Sequence, residues 1–485
     1  IGVPYSADNV PYQPKSYLKI SLEGISPGDF TFVMGYPGRT FRNFTSGELL
    51  NDIEDMRRSL LRYQAIADFY EQSGENSRDI QIKYASTVRG FYNAMKNYRG
   101  KLQGIEENNL VELKKEKEQG FRKWISQSAG RREKYGDVLQ ELEQFLPQYE
   151  KDIQKEQQLS RLVQPRYGPA LLWQAHLIYR TVQERTKPDT ERESRYQDRN
   201  LPELRESVEL AERRYDLQTD RNYFEFILSR MQQDTSGNVP EVVQSMVKGK
   251  TRQEISEWVE RLYQQTILTD PAKRLELLEK TPAELEKLND PLIELAARIE
   301  KRLKELRENN RTRRQEFKEL KRTWLAGMLE MREGRMAPDA NSTIRFTSGT
   351  VKGYSPRDGV YYLPQTTLSG VIAKNTGEPP FDVPEELIRL WESKNFGRYA
   401  DQQLNDVPAC FLNTTAVTGG NSGSPTLNAR GEQVGIIFDM TYESVIGDYH
   451  IIPELQRTIS VDIRYVLFIT EKFSGATRII EELNL

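Results

Sequence analysis

A long segment rich in helix-forming residues lies between two segments with the composition of strands and loops, and this order constrains the fold most. The segment extends from about residue 48 to residue 335, and it has no glycine between Gly249 and Gly327. Glycine weakens helices, whereas Leu, Glu, Lys, Arg and Gln favour them. The segment therefore predicts several long helices in a bundle or helical array.

Two helix starts are predicted from their capping residues. In TPAE, Thr281 takes the N-cap position, Pro282 the first helical position and Glu284 the third, which completes a capping box. Asp290 and Pro291 repeat the arrangement of a cap followed by proline. Apolar residues then recur at helical spacing and predict one apolar stripe: Leu292, Leu295, Ala296, Ile299, Leu303 and Leu306. The stretches 110–144 and 206–231 have a similar character.

The segments on either side of the helical block are predicted to form strands and turns. The first contains LKISLEG and FTFVMGYPG, where β-branched and aromatic residues stand between glycines and prolines. The last contains the strand-like pieces VPACFLN and EQVGIIFDM, with a short helix predicted at PEELIRLW. The apolar residues of SVDIRYVLFITEKF have near-helical spacing and predict a C-terminal helix.

This order predicts one β domain interrupted by a helical insertion, because the first 47 residues are too few for a domain of their own. We assign residues 1–47 to strands of the β domain and residues 48–335 to the insertion. The rest of the β domain, which carries the candidate nucleophile described below, is assigned to residues 336–485.

The charge and cysteine content argue against several classes of function. The 69 basic and 72 acidic residues give a net charge of −3, so neither nucleic acid nor an anionic membrane is an expected partner. No apolar run approaches the roughly 20 residues that span a bilayer. The single cysteine, Cys410, cannot form an internal disulfide and does not suggest a thiolate metal site. We expect Cys410 to be a small buried apolar residue, and we predict no metal site and no cofactor.

The stretch TGGNSGSP, residues 418–425, has the pattern of a serine nucleophile loop. A serine hydroxyl attacks a carbonyl when a base takes its proton and donors hold the resulting oxyanion. The glycines let the backbone turn, so that the amides of Gly420 and Ser422 can converge on one point. Ser422 is therefore the candidate nucleophile, and Gly420 belongs to the candidate oxyanion hole. The alternative is a turn rich in Gly, Ser and Asn without any chemistry.

Several longer motifs resemble the bacterial dipeptidyl-peptidase 7 and dipeptidyl-peptidase 11 family of serine exopeptidases. They are YSADNVPYQPK, GDFTFVMGYPGRT, PDANSTIRFTSGTVKGYSPRDGVYY, TGGNSGSP and LQRTISVDIRYVLFI. They occur in this order from the first residues to the last, and the helical middle matches only in outline. The resemblance implies an α+β fold, in which a trypsin-like β-barrel peptidase domain carries a large inserted helical cap domain.

The general base for Ser422 is not evident in this chain. His176 lies in the apolar, helical stretch LLWQAHLIYR, where a structural role is expected. His450 follows EQVGIIFDM, but a trypsin-like geometry takes its histidine from the other barrel. Asp8 and Asp439 are candidate orienting carboxylates on composition alone. In the family the catalytic histidine and aspartate precede YSADNVPY, so the resemblance implies a C-terminal fragment that lacks the N-terminal part and is inactive alone.

The resemblance also implies the residues that bind substrate. In the family an asparagine of the helical domain holds the substrate amine, and FYNAMKN puts Asn93 in that place. The residue that selects the penultimate side chain is glycine or arginine in the family, whereas here it is Met440. Methionine cannot pair with a carboxylate, so we expect a shallow apolar pocket for small or medium uncharged side chains. Asp439 and Thr441 flank Met440 and are candidate pocket residues.

The leading hypothesis is a serine-type dipeptidyl peptidase that acts on peptides with a free N-terminus. The resemblance further implies a periplasmic or secreted protein, a homodimer, and no metal or organic cofactor. One alternative is a non-catalytic protein that binds peptides without cleaving them. Another is a trypsin-like endopeptidase, against which the helical insertion argues because it would close the cleft.

Overall fold

The computed structural model describes residues 6, 8, 10, 13–234 and 239–483. The chain divides into two compact units. The first, which we call the β unit, combines the chain up to Phe44 with Arg99–Leu110 and with the chain from Ala337 onward. The second, the helical unit, comprises Thr45–Tyr98 and Val111–Met336. Residues 99–110, which the sequence assigned to the helical insertion, thus belong to the β unit.

The helices and strands of the described residues have the following bounds. The strands are β1 (Phe30–Gly35), β2 (Arg345–Thr350), β3 (Tyr354–Arg357), β4 (Val360–Tyr362), β5 (Gln365–Thr367), β6 (Pro408–Asn413), β7 (Pro425–Asn428), β8 (Gln433–Met440) and β9 (Thr458–Asp462). The α-helices are α1 (Ser46–Gly74), α2 (Arg78–Glu107), α3 (Leu110–Ser126), α4 (Ala129–Tyr135), α5 (Val138–Arg161), α6 (Ala170–Glu184), α7 (Leu201–Ala211), α8 (Leu217–Gln232), α9 (Glu241–Val247), α10 (Arg252–Gln265), α11 (Pro271–Leu277), α12 (Pro282–Glu286), α13 (Pro291–Met331), α14 (Leu368–Ala373), α15 (Glu385–Glu392), α16 (Ile463–Phe468) and α17 (Thr477–Glu482).

Within the described residues, seven antiparallel strands form one sheet in the order β2-β1-β7-β8-β9-β6-β5, and β3 and β4 form a separate hairpin. Strands β2 and β5 are the edges of this sheet. A single bridge between Val351 and Asn413 links the end of β2 to the end of β6, but no ladder closes the sheet. The register places Phe411 of β6 opposite Ser460, and Ile436 of β8 opposite Val461, both on β9.

The prediction that the strands form a trypsin-like β-barrel is therefore wrong. The strands form one open antiparallel sheet, and helices account for 59% of the structure. The sequence pattern identifies strands through the alternation of apolar residues, but pairing joins residues hundreds of positions apart. Composition alone therefore does not determine whether a set of strands closes into a barrel.

The β unit contains several apolar clusters. The largest combines residues of α14, α15 and α16, with Leu368, Leu390 and Phe468 among its members. The C-terminal helix begins later than predicted, since Ser460–Asp462 belong to β9 and the helix starts at Ile463. Cys410 on β6 is half-buried instead of buried, and its partial burial raises the pKa of the thiol.

The helical unit contains one large core and two smaller aromatic clusters. The large core is built from apolar residues of α5 to α13, and the predicted stripe on α13 faces it from Leu292 to Leu303. Both predicted helix starts are confirmed, because Thr281 and Glu284 form a capping box and Asp290 caps α13. The stretch 206–231 is broken between α7 and α8, and the stretch 110–144 is divided among three helices. Among the described helices, we find none with the length and apolar character that a bilayer crossing requires.

Replacing Asp290 with alanine should destabilise the helical unit by about 2 kcal/mol, at the upper end of the measured range for helix caps. The buried Asp290 carboxylate accepts hydrogen bonds from the amides of Leu292 and Ile293 at 3.0 and 3.1 Å. It also accepts from the Thr266 hydroxyl at 2.8 Å, so its loss leaves several buried donors unpaired. Thermal unfolding followed by circular dichroism at the helical band measures the effect. The exposed cap variant Thr281→Ala serves as the control, and an equal loss in both variants would contradict the prediction.

Candidate active site

The serine loop is a tight double turn that is fastened to strand β8. The amide of Asn421 donates to the Thr418 carbonyl at 3.1 Å, and the amide of Ser424 donates to the Asn421 carbonyl at 2.9 Å. The amide of Gly423 donates to Ile437 of β8 at 2.7 Å, and Ile437 donates back to Ser424 at 2.9 Å. These bonds fix the backbone on both sides of Ser422.

Gly420 occupies a position that only glycine fits. Its φ is +106°, and an added Cβ would lie 2.7 Å from the Tyr36 carbonyl oxygen and 2.8 Å from the Gly38 nitrogen. The Gly38 amide also donates to the Gly419 carbonyl at 2.6 Å. The turn YPG that follows β1 therefore packs directly against the serine loop, and both sides of this contact depend on glycine.

Three amides of the loop, those of Gly419, Gly420 and Ser422, donate no hydrogen bond within the described residues, and the last two are the candidate oxyanion-hole donors. Asn421, Gly423 and Ser424 use their amides inside the protein, whereas no hydrogen bond is recorded for the amides of Gly420 and Ser422 among the described residues. Ser422 is exposed, and its hydroxyl likewise has no hydrogen-bond partner within that part of the chain. An exposed serine beside unused amides meets two of the requirements of acyl transfer, a nucleophile and donors for the oxyanion.

A buried ion pair holds the start of the loop. The Thr418 hydroxyl donates to the Asp448 carboxylate at 2.5 Å, and the Lys101 ammonium lies 2.7 Å from the other oxygen of that carboxylate. The side chains of Lys101 and Asp448 are each 10% exposed, so the pair is largely removed from water. Sequence analysis missed both residues, because Lys101 lies on α2 and no local motif connects it to Asp448.

A second carboxylate ties the segment after β1 to the segment before β2. Asp339 accepts from the Thr40 hydroxyl at 2.7 Å, from the Arg42 amide at 2.8 Å and from the Asn43 amide at 3.1 Å. The Arg42 side chain donates to the Gly447 carbonyl at 2.8 Å. Burial lowers the pKa of Arg42, and the charges of Asp339 and Asp448 oppose this shift. The loop that contains Asp448 is thereby fixed from two directions.

Replacing Lys101 with methionine should destabilise the β unit by about 3–5 kcal/mol, because the buried Asp448 carboxylate then lacks its cation. Thermal unfolding measures this loss. The exposed Lys374 of the same unit provides the matched control Lys374→Met, for which we expect a change within about 0.5 kcal/mol. The double variant Lys101→Met with Asp448→Leu should recover part of the loss. A single variant as stable as the control would contradict the structural role of the pair.

The predicted specificity residues lie at the end of β8 and just beyond it. Met440 is half-buried against the apolar cluster of Val33, Val417 and Ile437. Asp439 is exposed, and its carboxylate accepts from the Met440 amide at 2.9 Å. The Thr441 hydroxyl is buried in a hydrogen bond with Ser444 at 2.6 Å. Thr441 immediately precedes the 3-10 segment Tyr442–Asp448, and its role in the pocket stays a prediction.

Asn93 and the two histidines occupy different surroundings. Asn93 is exposed on α2 in the helical unit. His176, also in the helical unit, lies 2.8 Å from the Glu300 carboxylate, which pairs with Arg180 at 2.7 Å. This hydrogen bond to Glu300 supports the structural role expected for His176. His450 lies in the β unit, half-buried, two residues after Asp448.

The last points concern Asp8, a candidate carboxylate of the sequence analysis, and the side chains that could bind a metal ion. Asp8 is exposed, and its amide donates to the Ser6 hydroxyl at 3.2 Å. Among the described residues, we find no group of three or more His, Cys, Asp or Glu side chains placed to hold a metal ion.

A serine on a glycine-shaped loop with unused amides is typical of serine hydrolases. A family model described as Peptidase S46 matches residues 2–485. The chain therefore belongs to the peptidase S46 family, and the resemblance seen in the sequence motifs is confirmed.

Characterised relatives are similar along almost the whole chain. The Asp/Glu-specific dipeptidyl-peptidase of Shewanella putrefaciens is 31% identical over 513 residues, which cover 99% of this chain and 68% of the relative. Dipeptidyl-peptidase 7 of Phocaeicola vulgatus is 31% identical and covers 99% of this chain and 66% of the relative. The crystal structure of Porphyromonas endodontalis DPP11 with the dipeptide Arg-Glu superposes with a TM-score of 0.79 at 28% identity, over 99% of this chain and 68% of that one. The chain thus spans about two thirds of the length of these relatives.

Proposed function

We propose that this protein is a serine-type dipeptidyl peptidase that releases dipeptides from the free N-terminus of peptides, with Ser422 as the nucleophile. The observation that carries the proposal is the exposed Ser422 beside the unused amides of Gly420 and Ser422. Support comes from the relatives, which are named dipeptidyl-peptidases, and from solved relatives that hold a dipeptide or a substrate.

In the proposed reaction, the Ser422 Oγ attacks the carbonyl carbon of the peptide bond that follows the second substrate residue. The carbonyl oxygen gains negative charge, and the amides of Gly420 and Ser422 donate to it. Collapse of this intermediate breaks the bond to the leaving amine, which takes up a proton, and leaves the dipeptide as an ester on Ser422. Water then hydrolyses the ester and releases the dipeptide.

A base must accept the Ser422 proton during the attack, and a histidine is the residue expected in this role. His176 already interacts with Glu300 in the helical unit, so we do not assign it this function. The contacts of the described residues do not identify a base for Ser422. The resemblance implies a histidine that precedes YSADNVPY in the family, and its role as the base stays a prediction.

For recognition of the substrate amine, we propose Asn93. Its amide oxygen can accept a hydrogen bond from an ammonium group, and its exposed position on α2 leaves the side chain accessible. A dipeptidyl peptidase needs such an acceptor. When the N-terminal amine of the substrate is bound at a fixed place, the peptide bond after the second residue lies at the nucleophile. Replacing Asn93 with alanine is therefore expected to slow dipeptide release from peptides with a free N-terminus.

For the penultimate side chain, we propose an apolar pocket limited by Met440. Its thioether packs with Val33, Val417 and Ile437, and methionine offers no charge to an acidic substrate. The neighbouring Asp439 carboxylate adds a negative charge, which disfavours aspartate and glutamate further. The specificity proposed here thus differs from that of the relatives named Asp/Glu-specific.

The function is tested by incubating the protein with a set of peptides and identifying the products by mass spectrometry. We expect dipeptides from peptides with a free N-terminus and none from the same peptides after N-acetylation. Cleavage inside acetylated peptides would favour the endopeptidase alternative. Peptide binding without any product would favour the non-catalytic alternative.

We further propose a periplasmic or secreted location and a homodimer, both supported only by the resemblance to the family.

A further inference from the structure

The helical unit contains a cavity of about 440 Å³ whose wall carries three arginines. Arg62 comes from α1, Arg161 from the last residue of α5, and Arg230 from α8. A volume of this size falls in the range of small-molecule binding sites. None of the residues proposed above for catalysis or substrate recognition lines this cavity.

The guanidinium groups at this cavity lack carboxylate partners in the described residues. The recorded hydrogen bonds of Arg62 and Arg161 go to neutral groups, the Ser59 hydroxyl at 2.7 Å and the Gln157 amide oxygen at 3.2 Å. The Nε of Arg62 is buried without a hydrogen-bond partner. Arg230 lies 5.7 Å from the Phe226 ring and, like the other two, forms no ion pair within the described residues.

Arg62 and Arg161 also repel each other. Burial and the charge of Arg62 together lower the pKa of Arg161 to about 10, and the charge of Asp55 opposes this shift. The buried Arg180, by contrast, pairs with the Glu300 carboxylate at 2.7 Å. The buried Nε of Arg62 has lost its hydrogen bonds to water without gaining another partner, so an anion that accepts from it would be favourable.

The other residues that line the cavity indicate what kind of ligand it would fit. Tyr167, Tyr223 and Phe226 supply aromatic surface, and the Oε1 of Gln158 is a buried acceptor without a partner. The Gln158 Nε2 donates to the Asp234 carboxylate at 3.3 Å, so the wall also contains one negative group. The cavity therefore offers cationic donors for an oxyanion, aromatic faces for a flat body and one acceptor for a hydroxyl or amino group.

We propose that this cavity binds a small organic oxyanion, with its carboxylate or phosphate held by Arg62 and Arg161 and its aromatic body against Tyr167 and Phe226. Guanidinium groups match the geometry of both oxyanions, because two parallel N–H groups can donate to two oxygens at once. Bound anion would relieve the repulsion between the arginines. The site is independent of the proposed peptidase reaction, and it holds whether or not the protein cleaves peptides.

The test is isothermal titration of the whole protein with phenyl phosphate, 4-hydroxybenzoate and inorganic phosphate. We expect saturable binding of at least one aromatic anion at millimolar concentration or below, and weaker binding of inorganic phosphate. Phenyl phosphate binding tighter than 4-hydroxybenzoate would assign the site to phosphates, and the reverse order would assign it to carboxylates. No saturation by either aromatic anion up to about 10 mM would overturn the proposal.

The variants Arg62→Gln and Arg161→Gln should each weaken binding about tenfold or more. Arg57→Gln is the matched control on α1, because Arg57 is exposed and pairs with Glu54 at 2.8 Å. Thermal unfolding without ligand checks that the variants are folded. Arg161→Gln should have a melting temperature no lower than that of the control, because it removes a charge that Arg62 repels. Binding that is equal in all three variants, or stabilisation by the anion that persists in Arg161→Gln, would overturn the proposal.

Discussion

Replacing Ser422 with alanine should abolish dipeptide release while leaving the fold intact. The loss in kcat/KM should reach about 10⁴-fold or more, because removing a serine nucleophile leaves only the contributions of oxyanion binding and positioning. The hydroxyl makes no hydrogen bond within the described residues, so its removal breaks no contact that holds the loop. The measurement is the initial rate of release of a fluorophore from a dipeptidyl substrate.

The control for this variant is Ser474→Ala, which alters an exposed serine of the same unit. We expect the control to keep the rate of the unchanged protein. A fluorophosphonate probe, which labels activated serines, gives a second measurement and should label the unchanged protein but not Ser422→Ala. Residual cleavage by Ser422→Ala above about one hundredth of the original rate would exclude Ser422 as the nucleophile.

Replacing Met440 with arginine should shift the preference of the enzyme toward acidic penultimate residues. The new guanidinium can form a bidentate pair with the carboxylate of aspartate or glutamate, whereas methionine offers only apolar contact. Such a charge-assisted pair contributes about 1.5–3 kcal/mol, which corresponds to roughly a 10- to 150-fold change in relative kcat/KM. The nearby Asp439 carboxylate will reduce the gain, because it competes for the guanidinium.

The measurement is kcat/KM for substrates that differ only in the penultimate residue, with Ala, Leu, Glu and Asp compared. The variant Met440→Gly should instead improve cleavage after bulky apolar residues, since it removes the side chain that limits the pocket. Met34→Arg, at a half-exposed position of β1, is the control for a non-specific effect of added positive charge. If the unchanged protein already cleaves best after Glu or Asp, the role assigned to Met440 is wrong.

Local features of the chain were predictable because short-range physics produces them. The capping box of Thr281 and Glu284 and the cap of Asp290 form among residues that are neighbours in the sequence. Strands β1, β6 and β8 coincide with apolar stretches bounded by turns. The C-terminal helix was placed three residues too early, because Ser460–Asp462 pair with β6 and β8, and this pairing overrides helical spacing.

The serine loop was also visible in the sequence, since its glycines and its serine are consecutive residues. Its surroundings were not visible. The Asp448 carboxylate meets Lys101 of α2, which belongs to a helix that the sequence assigned wholly to the insertion. Asp339 joins the segment around Thr40 in the same manner. Neither contact has a local signal, because each joins positions that are far apart along the chain.

The sequence by itself determined the strand and helix content, the cap positions, the loop around Ser422 and membership of a peptidase family. Each of these depends on neighbouring residues or on motifs that keep their order. The tertiary structure decided that the strands form an open sheet, that residues 99–110 belong to the β unit, and that three arginines meet at one cavity. The physical reason is that sheet closure, ion pairs and cavities arise from contacts between distant residues, whose free energies depend on a packing that no local pattern specifies.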